Sequence, residues 1–478
     1  MGGITMKRWA YGILAACWLA SCSLLTAETY YVATSGVDTR TGTGDWTNAV
    51  LTISNGVRLA SSVAGNVVWV SNGEYVISAQ INITNGITVR GWGANRADMV
   101  VDGSNVTYCF SINHANALLA GLTVMRGTNS GGGGGIYVSP NGGTISNCVV
   151  KDCIAGTGGG VHLNGNGRLT CSAILGNKTT VGNSGMTGGG VYLNGHNNVV
   201  SNCMIASNDT TLGTSGGGGG LAFSSGTNCL LTDSTIHSNV VQGYGGGIVV
   251  YNSLNFTVNR CVISNNFTTT AAYGGGIYVW PGSTGVIENC MIVNNSIPLG
   301  QGGGAYIGVG VIWMRNCLIK GNSPRNHNLR YGGGLYLEKG ARVDSCTVVG
   351  NTNTYSGHGG GIWANTNDVT IVNSVVWSNE GGDIAVSSGT LTLTNCCVSN
   401  ATVFGGPGNI TNNPVFVDPG ADNWRLSKGS PCINAGLNQP WMIGAVDLDG
   451  HSRMDHFRRQ ADIGAYEYLA GGTIIITH

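Results

Sequence analysis

From Ile136 onward the chain alternates apolar and variable residues in short runs, and the runs come in pairs. A block of glycines, usually three, leads into an apolar–variable–apolar run. The first apolar residues of these runs are Ile136, Val161, Val191, Leu221, Ile248, Ile277, Ala305, Leu335 and Ile362, spaced 25 to 30 residues apart. A second run follows each block: TISNCVV at Thr144, VVSNCMI at Val199, VIENCMI at Val286, WMRNCLI at Trp313 and their relatives. Most end three residues later in Asn, at Asn177, Asn208, Asn239, Asn266, Asn295, Asn322, Asn351 and Asn379. Alternation over so few residues predicts strands, and repetition at this period predicts a parallel β-helix. One coil cannot bury its own apolar face, so like residues must stack in columns at the strand spacing of about 4.8 Å.

Three columns follow from that stacking. Ile145, Val200, Val258, Ile287, Val343 and Ile371 are expected to point inward. Asn147, Asn202, Asn289, Asn316 and Asn373 fall where a sharp bend needs a residue tolerant of the left-handed conformation and able to bond its neighbour on the next coil. Cys148, Cys203, Cys261, Cys290, Cys317 and Cys346 form an inward ladder, with Ser172, Ser234 and Ser374 substituting. Stacked cysteines have parallel side chains, a poor geometry for disulfides, so they read as small buried apolar groups. The adjacent Cys396 and Cys397 must face opposite sides of their strand.

Composition sharpens the picture. Gly 81 without an every-third pattern excludes collagen, and 42% hydrophobic with 9% charged residues implies a folded chain. Equal numbers of Lys+Arg and Asp+Glu, 22 each, exclude a phosphate-neutralising nucleic-acid binder. Lys7 and Arg8 followed by WAYGILAACWLA read as an export signal over residues 1–27. Two cleavage readings compete: LASC, in which Cys22 is lipidated in the manner of a bacterial lipobox, and LTA at Leu25 to Ala27, which suits ordinary signal peptidase. No later segment approaches the roughly 20 apolar residues that span a bilayer. The expected location is extracellular or on the outer surface of a bacterium.

With these repeats the chain resembles right-handed parallel β-helix proteins of the pectin-lyase-like superfamily. TYYVATSGVD, NVVWVSNGEY and ITVRGWG, around a short helical stretch, are similar to that family's opening strand, capping helix and first coil. The resemblance implies an all-β fold of about 12 coils with an N-terminal capping helix and a small C-terminal domain. NPVFVDPGADNWRLSKGSPCINAG, DLDGHSR and DIGAYEY resemble a choice-of-anchor Q domain, which implies surface association. The expected organisation is a signal at 1–27, a cap and first coils at 28–130, regular repeats at 131–400, the C-terminal domain at 401–468 and a tail at 469–478.

Candidate chemistry is sparse. The middle residue of each glycine-led run should face outward, giving Tyr137, His162, Tyr192, Tyr278, Tyr306, Tyr336 and Trp363, with Tyr251 and Trp280 alongside. Three readings stand: a platform on which sugar rings stack, rings that only stabilise the sheet, or a stripe covered by the long glycine-bearing loops. His162 and Glu338 lie on this face, roughly 29 Å apart at the strand spacing, too far to act together. Glu288, Arg315 and Asp344 occupy one repeat position on successive coils, with the carboxylates about 9 to 10 Å apart, near the separation inverting glycosidases use. Arg315 between them would keep both ionised, so an ion-pair ladder competes with a catalytic or calcium site. Asp447 and Asp449 with Gly450 supply too few oxygens alone for calcium, and burial against Arg453 is the alternative. No Cys/His cluster has zinc spacing, so no zinc site is expected; no cofactor is expected either, and calcium is the one cation left open. The pattern favours a non-catalytic protein binding polysaccharide or a cell surface. The alternative, implied by the resemblance, is a polysaccharide lyase or glycoside hydrolase. Oligomeric state is left open.

Overall fold

The computed structural model describes residues 26–180, 186–211, 216–365, 368–388, 391–400, 404–454 and 460–469. Cys22, with almost all of the expected leader and tail, lies outside them. The repeats close into a parallel β-solenoid of three sheets. Sheet 1 has 14 strands, from Thr29–Val32 to Thr392–Thr394; sheet 2 has 13, from Gly73–Val76 to Cys397–Val398; sheet 3 has 12, from Ile81–Ile83 to Ile384–Val386. Each coil visits sheet 3 with its glycine-led run, then sheets 1 and 2 with its second run. Register is like on like, as in Ile145 beside Leu169 and Ile277 beside Ala305. The inward Ile and Val columns are fully buried in one continuous core, each side chain contributing about 2 to 3 kcal/mol through burial.

The corners show why Asn and Gly recur. Between sheets 1 and 2 the chain turns through left-handed residues, among them Asn147 (φ 50), Asn202 (φ 53), Asn289 (φ 54) and Asn316 (φ 53). Asn tolerates that region better than other residues with a Cβ, and Asn316 Nδ2 also donates to Asn289 Oδ1 at 2.6 Å. Immediately after sheet 2 runs a second ladder, Asn177 to Asn379, almost wholly excluded from water. In it each Nδ2 donates to the next coil's Oδ1, as Asn208 does to Asn239 at 3.0 Å. The ladder leaves room for glycine alone. At GGGIYV, Gly274 adopts φ +66, a Cβ on Gly275 would lie 2.3 Å from the Gly303 carbonyl, and one on Gly276 would lie 2.8 Å from Asn295 Nδ2. The cysteine ladder is buried and unbridged as expected. Burial pushes the Cys148 thiol up to about 11, which leaves it inert. Cys396 faces the core and Cys397 the opposite side.

The helix Ile53–Ala60, N-capped by Thr52, packs Ile53, Gly56, Val57 and Ala60 on the first coil. Two further features pack against the solenoid. Beyond sheet 2 the long loops form side strands, Val240–Val241, Phe267–Thr268, Ala271–Tyr273, Ser296–Gln301 and Ser323–Tyr331, joined into a parallel sheet of their own. The C-terminal segment, expected as a separate small domain, is docked along the corner between sheets 1 and 2. Among the described residues its strands form an antiparallel pair, Phe416–Asp418 with Asn423–Leu426. Its apolar residues Leu426, Cys432 and Ile463 form a shared cluster with Val375 and Cys397 of sheet 2. The corner asparagines guide this docking: Asn316 Nδ2 donates to the Val446 carbonyl, Asn373 exchanges two bonds with Leu437, and Asn395 Nδ2 donates to Ala435.

Candidate functional site

The outward column of sheet 3 is in register as expected, but its central rings are not exposed. Tyr278, Tyr306, Tyr336 and Trp363 are only 4 to 8% exposed, so an open platform at these residues is corrected. They form a second apolar cluster with Met186, Ala222 and Val249, closed over by Tyr244, Tyr273 and Tyr331 from the side-strand region. Tyr306 and Tyr336 stack at 4.7 Å, Tyr244 lies 5.1 Å from Tyr278, and Tyr331 lies 4.2 Å from Trp363. Burial raises the phenol pKa values of Tyr278, Tyr306 and Tyr336. Glu338 accepts the Tyr306 hydroxyl at 2.6 Å. Tyr137, His162, Tyr192, Tyr251 and Trp280 are half-buried. His162 lies edge-on between Tyr137 and Tyr192, and burial pushes its imidazole down to about 4. It is therefore neutral at ordinary pH.

Sheet 1 brings Glu288, Arg315 and Asp344 side by side on three strands. The expected ladder is asymmetric: Arg315 pairs with Glu288 at 2.7 Å, while Asp344 is held at 2.9 Å by Arg342, two residues before it. Asp344 is almost fully buried and also accepts Trp441 Nε1 at 3.2 Å. Trp441 lies 5.0 Å from the Arg315 guanidinium, and Gln439 bonds Arg342. The docked C-terminal segment thus covers Asp344 and lies against Arg315 and Arg342. Each carboxylate is ion-paired with its own arginine.

In that segment the ligand atoms of Asp447, Asp449 and His451 fall within 4.8 Å of one another. Each carboxylate already has partners. Asp447 accepts the backbone N–H groups of Asp449, His451 and Glu467, and Asp449 is forked by Arg425 at 2.5 Å. The geometry closes a turn, leaving a cation to compete with Arg425 and three N–H donors. Arg453 is fully buried and pairs with Glu467 at 3.0 Å, which corrects the expected pairing with Asp447.

The outer face of sheet 1 carries a constellation that the sequence reading did not assign. Tyr31, Trp69, Arg90 and Ala120 are neighbours on successive strands. Trp46 and Trp92 join them edge-on, with centroid separations of 4.8 Å for Tyr31–Trp46, 5.4 Å for Trp46–Trp92 and 4.9 Å for Trp69–Trp92. Arg90 lies 4.5 Å from the Trp69 ring centre, and no carboxylate pairs with it among the described residues. Trp92 is 55% exposed. Directly beside it is a recess of about 320 Å³ lined by Arg90, Gly91, Gly93, Leu118, Ala120, Gly121, Thr144, Ser146 and Asn147. Ala120 and the glycines make the floor shallow, and the hydroxyls and amide supply hydrogen-bonding groups at the rim. The same column continues as Ser146, Thr170, Ser201, Thr232 and Asn259 before reaching Glu288. Eight rungs separate Trp69 from Glu288, roughly 38 Å at the strand spacing. The signal was available in VVWV and TVRGWG, where Trp69, Arg90 and Trp92 hold outward positions of alternating runs.

A family model described as "Right handed beta helix region" matches residues 108–297 and 266–416. No curated protein matches the sequence. Among solved structures, pectate lyase Pel9A is 16% identical with a TM-score of 0.39, covering 93% of this chain and 97% of its own. XylC, in complex with xylose, is 11% identical with a TM-score of 0.49, covering 93% and 99%. The A-module of the Azotobacter vinelandii mannuronan C-5 epimerase AlgE4 is 14% identical with a TM-score of 0.45, covering 76% and 96%. At these values the structural likenesses carry no argument about activity.

Proposed function

The chain belongs to the right-handed β-helix family, and from that premise we propose that it is an exported, non-catalytic polysaccharide-binding protein that engages its ligand along the outer face of sheet 1. The observation that carries the reading is the exposed Trp92 and unpaired Arg90 beside an open, hydroxyl-rimmed recess. An aromatic face stacks on the apolar face of a sugar ring, and a free guanidinium matches the carboxylate or sulfate of an acidic one. From Ser146 to Asn259 successive strands offer one polar side chain per rung, so an extended chain running along the solenoid meets repeating partners. The ion pairing of Glu288 with Arg315 and of the covered Asp344 with Arg342 supports binding without turnover.

The test is a panel of acidic and neutral glycans with the purified chain, read by affinity, by unsaturated products and by new reducing ends. Trp92→Ala combined with Arg90→Ala is expected to weaken binding of an acidic glycan at least tenfold, as loss of about 1.5 kcal/mol of stacking and charge pairing requires. Unchanged affinity overturns the proposed site. Turnover that disappears in Glu288→Gln or Asp344→Asn overturns the non-catalytic reading and favours a lyase or hydrolase.

A further inference from the structure

The cysteines of the ladder look alike in burial, but one pair differs in geometry. Ladder neighbours such as Cys290 and Cys317 stand at the same position on consecutive coils, with side chains parallel. Cys397 instead points away from the core, out of the last strand of sheet 2, and Cys432 meets it from the docked C-terminal segment. Both are fully buried, packed in one cluster with Val375, Leu426 and Ile463. Neither is bridged in the structure, and the proximity of Cys432 together with burial raises the Cys397 thiol far above its ordinary value. The surroundings hold the pair in place: Ile410 pairs with the strand on either side of Cys397, the Asn412 carbonyl accepts its thiol at 3.4 Å, and the Ile463 N–H donates to the Cys432 carbonyl at 3.0 Å. Two cysteines brought from opposed elements into one cluster that excludes water are not held to the parallel side-chain directions of the stacked cysteines.

We propose that Cys397 and Cys432 are joined by a disulfide that fastens the C-terminal segment to the last coil. The oxidant is a small-molecule or protein disulfide. One cysteine thiolate attacks it, forming a mixed disulfide and releasing one thiol; the second cysteine then displaces the other. The two cysteines lose two protons and two electrons, and the oxidant leaves as two thiols. Because the finished cluster is dry and fully buried, the exchange takes place before the segment closes, and the closed cluster then shields the bond. The export reading supplies an oxidising compartment, but the test does not depend on it.

The full chain, denatured and reduced, is refolded with a glutathione redox buffer, and the folded fraction is alkylated in denaturant and peptide-mapped without reduction. The expected result is one bridged peptide pair, lighter by two hydrogens, containing Cys396, Cys397 and Cys432, with the other ladder cysteines alkylated. Cys396→Ala should retain the bridge, whereas Cys397→Ala and Cys432→Ala should lose it. In the wild-type chain, reductant should increase the rate at which protease releases the C-terminal segment by tenfold or more; in Cys432→Ala it should not alter the rate. A folded wild-type chain with both cysteines alkylated, or a bridge that survives Cys397→Ala, overturns the proposal.

Discussion

Removing one rung of the buried amide ladder tests the forces that hold the coils together. Asn295 is fully excluded from water. Its Oδ1 accepts the Asn266 backbone N–H at 3.1 Å and Asn266 Nδ2 at 3.0 Å; its Nδ2 donates to the Ile263 carbonyl at 2.9 Å and to Asn322 Oδ1 at 3.1 Å. Asn295→Ala deletes all four bonds, but the neighbours are not affected equally. Asn266 Nδ2 keeps Ile236, and Asn322 Oδ1 keeps the Asn295 N–H. The Asn266 N–H is left stranded in a dry interior. A stranded buried donor costs about 1 to 3 kcal/mol and each lost net bond about 1, so the expected destabilisation is about 4 kcal/mol. Urea unfolding should show the midpoint falling with little change in slope, and hydrogen exchange should lose protection first at the Asn266 amide. A loss below about 1 kcal/mol, with Asn266 still protected, refutes the view that the ladder is a principal inter-coil tie.

Two other outcomes follow from the docked C-terminal segment. Trp441→Ala removes the ring beside Arg315 and the donor to Asp344; it should loosen the segment by about 1 to 2 kcal/mol, read as faster proteolysis within 404–454 while the solenoid's far-UV circular dichroism is unchanged. Burial raises Glu467 from 4.5 to about 8 despite Arg453. The fold therefore favours its protonated form, so the stability it supports is full below about pH 4.5 and is lost as pH rises through about 8. Glu467→Gln, which mimics the protonated carboxyl, should flatten that dependence in melting temperatures taken across this range; a slope identical to wild type sinks the assignment.

The coil repeat was readable because its causes are local and periodic. A left-handed corner selects Asn at Asn289 and Asn316, a narrow interior selects Cys and Ser beside it, and the Asn295 amide excludes anything but glycine at Gly276. Those requirements recur in every coil, so the sequence shows them as columns. The fate of the column through Tyr278 depends on what the connecting loops do. Val240–Val241 and Phe267–Thr268 are two-residue strands whose pairing comes only from the coil above or below, and nothing in their own pattern marks Tyr244 and Tyr273 as a cover. Likewise, the polarity of Glu288, Arg315 and Asp344 was plain, but the arrival of Trp441 from nearly a hundred residues beyond Asp344 was not. Trp69, Arg90 and Trp92 were legible in principle. Their alternation was visible, and only the grouping with Trp46 required three dimensions.

The amide ladder also has a direction. Every rung from Asn177 to Asn351 donates toward the C-terminal end, and Asn379, the last, donates to the carboxylate of Asp383 at 3.0 Å. Aligned side-chain amides add their dipoles along the long axis as peptide groups do in a helix, with the positive pole toward the C-terminus. Asp383 sits at that pole, accepting from Asn379 without presenting a donor for another rung. The stack thus carries its own terminator. A longer protein of this kind could be built by inserting Asn-bearing coils before Asn379, whereas coils appended beyond Asp383 would face an acceptor with nothing to pass on.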